Sequence, residues 1–585
     1  MQWLTILKAA TVSVLFIIQF ESVPCQQAQN VSSSNHSQVL ILGAGVSGLA
    51  VAKTLLERNI SDYRILEGSN RIGGRVKSVT FGGKTIEEGP NWVAGREGTP
   101  LWEVVHRYNV SGKKSDFDSV LIRNSRGEDV TDTEGEDAWA KLESAQMTLS
   151  EIFKRIEDNK TMDMSLRACL DIGRWSPKTP VEKVVEIFDY DFEYGGTPGV
   201  TSCNSVGINV EPVKDLYYVM DERGFEFILK TFAKDALLPN DQRLHLNEVV
   251  TNITYNGTTV TVATQNGNVF TADVVIVTFS IGVLKSGSVT FSPPLPHWKI
   301  DNLYRISFEN YLSVYLKFPN TSSRFWDDTE YILYADERRG VFPVWQNLEA
   351  DGLFPNGTNI LQVVTQGEDA DRVSNMNDTE ITAEVMGILR RVYTNVVDPE
   401  DVFITNWKTN PLYRGSICNM EAPAFNSEIF EAIRAPVRNV FFAGEAFDPK
   451  FSCYTTGAAR SGIYTANKVA AHLADGGVTY PADDGVTHSA DDGTMHPSSC
   501  PSGMKQANAK SVTGLLLLFV ITRIVVRNNL RIQPGQCFCQ WNDVNDIRHM
   551  LKYLNVVSQV QKKCLTKANQ QCVVKPNCFP KFFHY

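Results

Sequence analysis

From residue 38 to about 475 the chain alternates short apolar runs with segments whose apolar residues recur at helical spacing. Strand-length and amphipathic helix-length stretches interleave throughout, which predicts an α/β or α+β fold. The first unit is the clearest. Val39-Leu40-Ile41-Leu42 is a continuous apolar run of strand length, and residues 49–56 carry apolar side chains at helical period. A second strand is predicted at 63–66, and a late one over Phe441-Phe442-Ala443.

The texture changes at both ends. Residues 9–20 form an apolar run behind Lys8, followed by small or polar residues. It is too short to span a bilayer comfortably, so 1–25 reads as a signal peptide, with an uncleaved anchor as the other reading. A polar arm at 26–37 leads into the folded part. Residues 476–511 read as an acidic low-complexity linker, in which Ala482-Asp483-Asp484-Gly485 is echoed by Ala490-Asp491-Asp492-Gly493. The tail, 512–585, opens with an apolar run at 512–521 that Arg523 interrupts and Ile524-Val525-Val526 resumes. A glycolipid-anchor signal, a single spanning helix and a non-native extension all remain open for it, and with the first two an association with membrane.

Composition narrows the class. A chain of 585 residues suffices for two or more domains, and 43% apolar with 21% charged residues is the make-up of an ordinary folded protein. The formal net charge of -10 argues against nucleic acid, whose phosphates select basic surfaces. It suits a cationic partner, and equally simple solubility. Asn-x-Ser/Thr sequons at Asn30, Asn35, Asn59, Asn109, Asn159, Asn252, Asn256, Asn320, Asn356 and Asn377, behind an apolar leader, point to the secretory pathway and a secreted or cell-surface glycoprotein. Cysteines fit that compartment: Cys169, Cys203, Cys418 and Cys453 in the body, and six crowding the tail. Disulfides are permitted, with pairing left open. Cys537-x-Cys539 lacks a matching His pair, so no metal is expected.

The strongest chemical signal follows the first strand. Gly43-Ala44-Gly45-Val46-Ser47-Gly48 is a G-x-G-x-x-G turn between a strand and a helix. Gly43 permits the turn, Gly45 leaves room for a pyrophosphate, and Gly48 lets the helix lie against the strand. The helix N-terminus presents unpaired N–H groups to phosphate. Glu67 ends the second strand, 19 residues beyond Gly48, where a carboxylate accepts ribose hydroxyls. Arg75, on the loop Arg71-Ile72-Gly73-Gly74-Arg75, can bring a guanidinium to the same phosphates, and Gly74 lets backbone approach. That second clamp favours a permanently held FAD over a free nicotinamide cofactor.

These residues belong to a wider pattern. With Glu87-Glu88-Gly89-Pro90-Asn91-Trp92-Val93, Leu246-Asn247-Glu248-Val249-Val250, Phe291-Ser292-Pro293-Pro294-Leu295-Pro296, Leu316-Lys317-Phe318-Pro319, Phe441-Phe442-Ala443-Gly444-Glu445 and Tyr454-Thr455-Thr456-Gly457-Ala458, the chain resembles the flavin amine oxidases, and among them the secreted plant-type polyamine oxidases. The resemblance runs from about 38 to 471. It implies a discontinuous Rossmann-like FAD-binding domain (37–114, 205–303 and 419–475) and a substrate domain (115–204 and 304–418) with a mixed sheet flanked by helices. It implies that Gly89, Pro90, Asn91 and Trp92 line the flavin, that Val250 offers backbone to the adenine, and that Trp407 and Tyr413 wall the isoalloxazine. Gly444, Glu445 and Thr455 fall in the C-terminal flavin motif. Tyr454 stands on the substrate side, and Glu193 matches a tunnel carboxylate that would hold a distal ammonium.

The implied reaction oxidises a C–N bond of a polyamine of the spermine and spermidine class with dioxygen, giving aldehyde, amine and hydrogen peroxide. A monomer or weak dimer is expected. Two departures stand out. The family's lysine falls on the strand Tyr311-Leu312-Ser313, where this chain has Ser313. Lys317, four strand residues on, is displaced by about 13 Å and does not replace it. Ala94 stands where plant-type enzymes carry a second tunnel carboxylate. Tyr311, Ser313, Glu193 and Tyr454 are therefore the candidate reacting-site residues. Two alternatives stay open: a flavin-bound homologue whose turnover is slowed or lost through Ser313, and an L-amino-acid oxidase, which needs an arginine such as Arg414 or Arg460 for the substrate carboxylate.

Overall fold

The strand His36–Leu42 is central to an eight-stranded sheet. In the computed structural model it pairs in parallel with Tyr63–Leu66 on one side and Val269–Val277 on the other. Leu244–His245 extends the sheet beyond Tyr63–Leu66, and Val440–Phe442 joins Val269–Val277, both in parallel. Val260–Thr264 and Val250–Thr254 continue it as antiparallel strands, and Thr290–Ser292 closes that edge. The residues described are 35–158, 161–207, 216–237, 240–320, 324–423 and 427–477. The segment expected to be a signal peptide, most of the arm, nearly all of the linker, the tail with its cysteines, and Asn30 and Asn159 lie outside them.

The unbroken apolar run at 39–42 has a direct cause: both faces of this sheet are covered. Val39, Ile41, Ile65, Val274, Ile276 and Phe441 join one core with the helices Val46–Glu57 and Thr455–Ala474. Leu40, Leu42, Leu66, Val275, Val277 and Phe442 alternate into a second core on the other face.

A six-stranded sheet runs in the order Asp401–Ile404, Tyr311–Lys317, Ile360–Gln366, Val344–Asn347, Tyr331–Ala335, Val120–Asn124. Its pairings are antiparallel except the last. Leu312, Val314 and Leu316 pack into a core with Ile381, Val385 and Ile388 of the helix Asp378–Val392. By the period of two, Tyr311, Ser313 and Tyr315 face the other way. Two disulfides, Cys169–Cys203 and Cys418–Cys453, join the four cysteines of the body, a pairing that spacing left open.

Candidate functional site

A cavity of about 810 Å³ opens at the carboxyl ends of the parallel strands, the usual ligand position in open α/β sheets. The strand His36–Leu42 ends at Gly43, whose φ of +109° favours glycine and whose N–H donates to Leu66 O at 2.7 Å. The helix that begins at Val46 has no side-chain cap on its first turn. Its Gly48 lies so close to the strand that an added Cβ would sit 1.9 Å from Gly43 O. The second glycine-rich loop abuts the first through Gly73 N–H, which donates to Ala44 O at 2.8 Å.

Glu67 lines the cavity at the end of its strand. Its Oε2 accepts from Ala44 N–H at 2.7 Å, and its Oε1 accepts from Ser69 N–H at 2.9 Å and Ser69 Oγ at 2.8 Å. Lone pairs remain on Oε2 for a sugar hydroxyl. Backbone from Glu248 to Thr251 lies beside it, Glu248 N–H donating to Glu67 O at 2.8 Å. Val250 is there as expected, with Gln265 as a further neighbour.

Arg75 also reaches the cavity, yet its partners are internal. Its Nη1 donates to Ser416 O at 2.7 Å, and its Nη2 lies 2.7 Å from Glu445 Oε1. The guanidinium also stands over the Phe308 ring at 5.1 Å. Two residues read separately from the sequence as cofactor contacts thus form one ion pair in the wall. Arg71, by contrast, donates to the carbonyls of Ile72, Gly74 and Val76 and braces the loop.

Gly89, Pro90, Asn91 and Trp92 follow in the wall. A Cβ on Gly89 would meet Arg75 O at 1.9 Å, so that approach also requires glycine. Trp407 donates from Nε1 to Glu88 O at 3.0 Å and meets Tyr413 edge to face at 5.1 Å. Just outside the wall, Glu87 accepts from Phe225 N–H and Ser78 Oγ, each at 2.8 Å. Burial pushes its carboxyl up to about 7. The folded state therefore holds this proton more tightly than the unfolded chain. Its contribution is complete below the ordinary carboxylate pKa of 4.5 and is lost as pH rises to about 7. Glu87→Gln keeps an acceptor for Phe225 and offers a donor to Ser78. Relative to wild type it is expected to gain stability across that window, by up to about 3 kcal/mol above pH 7, measured by urea unfolding at a series of pH values.

One part of the wall is aromatic. Trp92 meets Phe192 at 6.2 Å, Phe192 meets Tyr311 at 6.0 Å, and Phe117 and Leu216 pack with Trp92 and Tyr454. Glu193 stands here on a helical turn that follows a π-helical segment, Ile187–Asp191, and Tyr454 donates its hydroxyl to Glu193 Oε1. Burial raises the Glu193 carboxyl above the usual range, and the Tyr454 hydroxyl pulls it partly back. Ser313 opens on the cavity beside Thr405, with its Oγ accepting from Gln362 Nε2 at 3.1 Å. Lys317 points elsewhere, its Nζ donating to Phe318 O and to Asn320 Oδ1 at 2.7 Å.

All the site residues read from the sequence come together on this one cavity, with Ala44 and Gly48 behind its surface. Arg414 lines it, whereas Arg460 is held by Asp448 at 3.0 Å. Phe117, Phe192, Leu216, Thr405 and Cys453 were missed. Leu216 lies on a strand, Thr405 just beyond one, Phe192 on a short helix and Phe117 and Cys453 on turns, so no single sequence period marks them. Two buried hydroxyls of the wall, Ser47 Oγ and Thr455 Oγ1, have no partner among the described residues. With the glycine approaches and the uncapped helix, they fit an extended, phosphate-bearing dinucleotide.

The fold and cavity define a dinucleotide-binding protein in which Tyr311 and Ser313 of a second sheet line one part of the coenzyme site. The chain matches the family described as flavin containing amine oxidoreductase over residues 46–470. It is 33% identical to polyamine oxidase 1 of Zea mays over 73% of this chain and 89% of that one. To polyamine oxidase 6 of Oryza sativa subsp. japonica it is 32% identical, over 78% and 95%. Among solved structures, cyclohexylamine oxidase from Brevibacterium oxydans superposes with a TM-score of 0.59 at 19% identity, over 75% of this chain and 99% of that one. A putrescine oxidase bound to putrescine does so with a TM-score of 0.59 at 16%, over 74% and 99%. The chain belongs to the flavin containing amine oxidoreductase family, and FAD is its cofactor.

Proposed function

We propose that this chain oxidises polyamines with FAD and dioxygen. The observation that carries the reading is Glu193, a carboxyl set in an aromatic wall of a dinucleotide-sized cavity and bonded to Tyr454. The uncapped helix at Val46 and the hydroxyls of Ser47 and Thr455, unpartnered among the described residues, would hold the phosphates, Glu67 the ribose, and Gly89 to Trp92 with Trp407 and Tyr413 the isoalloxazine. Bound FAD supplies the two-electron acceptor for the amine C–H bond, and dioxygen takes those electrons on as hydrogen peroxide. The protein's share is to orient, desolvate and set charge. Glu193 pairs with a distal ammonium while the reacting nitrogen stays neutral, and Trp92, Tyr311 and Tyr454 keep water away. Water then cleaves the imine product to aldehyde and amine. The polyamine oxidase relatives support turnover, so an inactive flavoprotein is not needed to account for Ser313.

The test is anaerobic bleaching of the flavin band. A polyamine or one of its derivatives is expected to bleach it well ahead of leucine. Bleaching by leucine alone would move the chain to the amino-acid oxidases, and no bleaching by any amine would remove the oxidase reading.

The domain division given above belongs to this proposal. It is supported by the sheets: the eight-stranded one draws its strands from the FAD-binding stretches, the six-stranded one from the substrate stretches. A secreted, glycosylated product is also proposed. Its supports are the ten sequons, of which Asn59, Asn109, Asn256, Asn320, Asn356 and Asn377 are exposed, and two disulfides of a kind that persists in oxidising compartments. Protein expressed in secretory cells is expected to appear in the medium and lose mass on treatment with an N-glycosidase. Retention in the cell with unmodified asparagines would count against it.

A further inference from the structure

The aromatic part of the cavity sets how many charges a substrate can bring. Five glutamates are among the described residues lining the cavity: Glu67, Glu88, Glu193, Glu248 and Glu445. Four are held by donors outside the aromatic wall. Glu67 accepts from Ala44 and Ser69, and Glu248 accepts from Thr264 Oγ1 and Asn268 Nδ2, each at 2.6 Å. Glu88 is paired with Lys77 and Glu445 with Arg75. Glu193 is the one that stands among the aromatic rings, and its partner is a neutral hydroxyl.

No second acid completes this wall among the described residues. Ala94, two positions after Trp92, is wholly buried against Leu216 and Phe451, and Thr456 donates to its carbonyl at 2.6 Å. The neighbouring buried acids Asp191 and Glu330 do not line the cavity and are paired with Arg339 and Lys113.

A cation taken from water into such a wall loses hydration worth several kcal/mol and needs an anion in contact. One carboxylate can compensate one ammonium, and the reacting nitrogen contributes none because it must be neutral. We propose, resting on the polyamine reading above, that the preferred substrates carry a single charged nitrogen besides the reacting one. A diamine meets this condition, as does a triamine with one end masked as an amide. Triamines and tetraamines with free ends bring one and two ammoniums that the wall leaves unpaired. Glu193 is then the residue that sets specificity.

The experiment uses the holoenzyme and four probes: N1-acetylspermidine, spermidine, spermine and n-octylamine. Anaerobic flavin reduction gives rate and apparent dissociation constants, and the thermal upshift on adding each amine gives binding independently. N1-acetylspermidine is expected to exceed spermidine in reduction efficiency by about tenfold or more, with spermine lower again. In Glu193→Gln, N1-acetylspermidine is expected to lose about a hundredfold and its thermal upshift, while n-octylamine, which brings no distal charge, loses least. Tyr454→Phe keeps the carboxyl and is expected to keep the order of substrates, which separates charge pairing from damage to the wall. Spermine or spermidine reacting best, or an unchanged order in Glu193→Gln with flavin retained, would overturn the proposal while leaving the polyamine reading standing. If none of the four amines reduces the flavin, both readings fall.

Discussion

Gly48→Ala is expected to purify without colour, or not to fold at all. Its new methyl would lie 1.9 Å from Gly43 O and 3.3 Å from Thr278 Oγ1. The first contact is with backbone, which has little freedom to yield. Gly43 N–H is tied to Leu66 O at 2.7 Å, and Thr278 donates to Leu42 O from both N–H and hydroxyl, at 3.0 and 2.8 Å. Relief therefore requires the helix Val46–Glu57 to move off the strand. That helix is wedged against Thr455–Ala474, where a Cβ on Gly462 would already meet Ser47 O at 2.4 Å. An overlap of this kind costs about 1–3 kcal/mol, and more where backbone cannot yield; about 3 kcal/mol falling on the cofactor-binding geometry alone is more than a hundredfold in affinity. It also tilts the helix N–H groups away from the phosphates they would meet. The measurement is the ratio of visible to ultraviolet absorbance in purified protein, with refolding in excess FAD as a second reading. Gly387→Ala is the control. It lies in the helix Asp378–Val392 with no atom of the described residues within 4 Å of its added Cβ. It should keep full colour and gain up to about 1 kcal/mol of stability from helix propensity.

What the sequence reveals and what it withholds divide along a physical line. The strand, the glycine turn, the helix and Glu67 were legible because their chemistry depends on spacing within about thirty residues, and the local backbone follows that spacing. Partners distant in the chain were not. Arg75 and Glu445 could each be assigned to the cofactor from their own loops, yet nothing local says that they face one another. The same limit hid the pairing of Cys418 with Cys453 and the approach of Tyr454 to Glu193. Ala94 is instructive for a different reason. The resemblance implies that a carboxylate is missing, whereas the structure shows Ala94 packed against Leu216 and Phe451. A missing charge and a repacked wall have different consequences for substrate choice, and only packing separates them.

The turn that carries Glu193 depends on a buried charge cluster, and removing its cation should separate substrate handling from cofactor binding. Arg339 donates to Asp191 Oδ1 from Nη2 at 2.8 Å and to Asp191 Oδ2 from Nη1, and its Nη2 reaches Glu186 Oε1 at 3.0 Å. Trp175 Nε1, at 2.8 Å, and Arg167 complete the shell of Glu186. Both acids are almost wholly buried. Burial raises the Asp191 carboxyl to about 6 even with the guanidinium beside it, so without Arg339 it would take up a proton rather than remain charged. Arg339→Met leaves two oxygens of Asp191 and one of Glu186 short of a donor. Breaking a buried pair in this way costs about 3–5 kcal/mol, a loss to be read from urea unfolding. The damage should be local. Asp191 closes the π-helical segment one residue before Phe192 and two before Glu193, while the glycine turn, Glu67 and the Arg75–Glu445 pair lie on other elements. The variant is therefore expected to keep its flavin and visible spectrum. Its apparent affinity for amines should fall about tenfold or more as Glu193 loses its fixed place. Loss of colour in parallel with loss of amine binding would mean that the cluster supports the whole fold rather than the substrate wall.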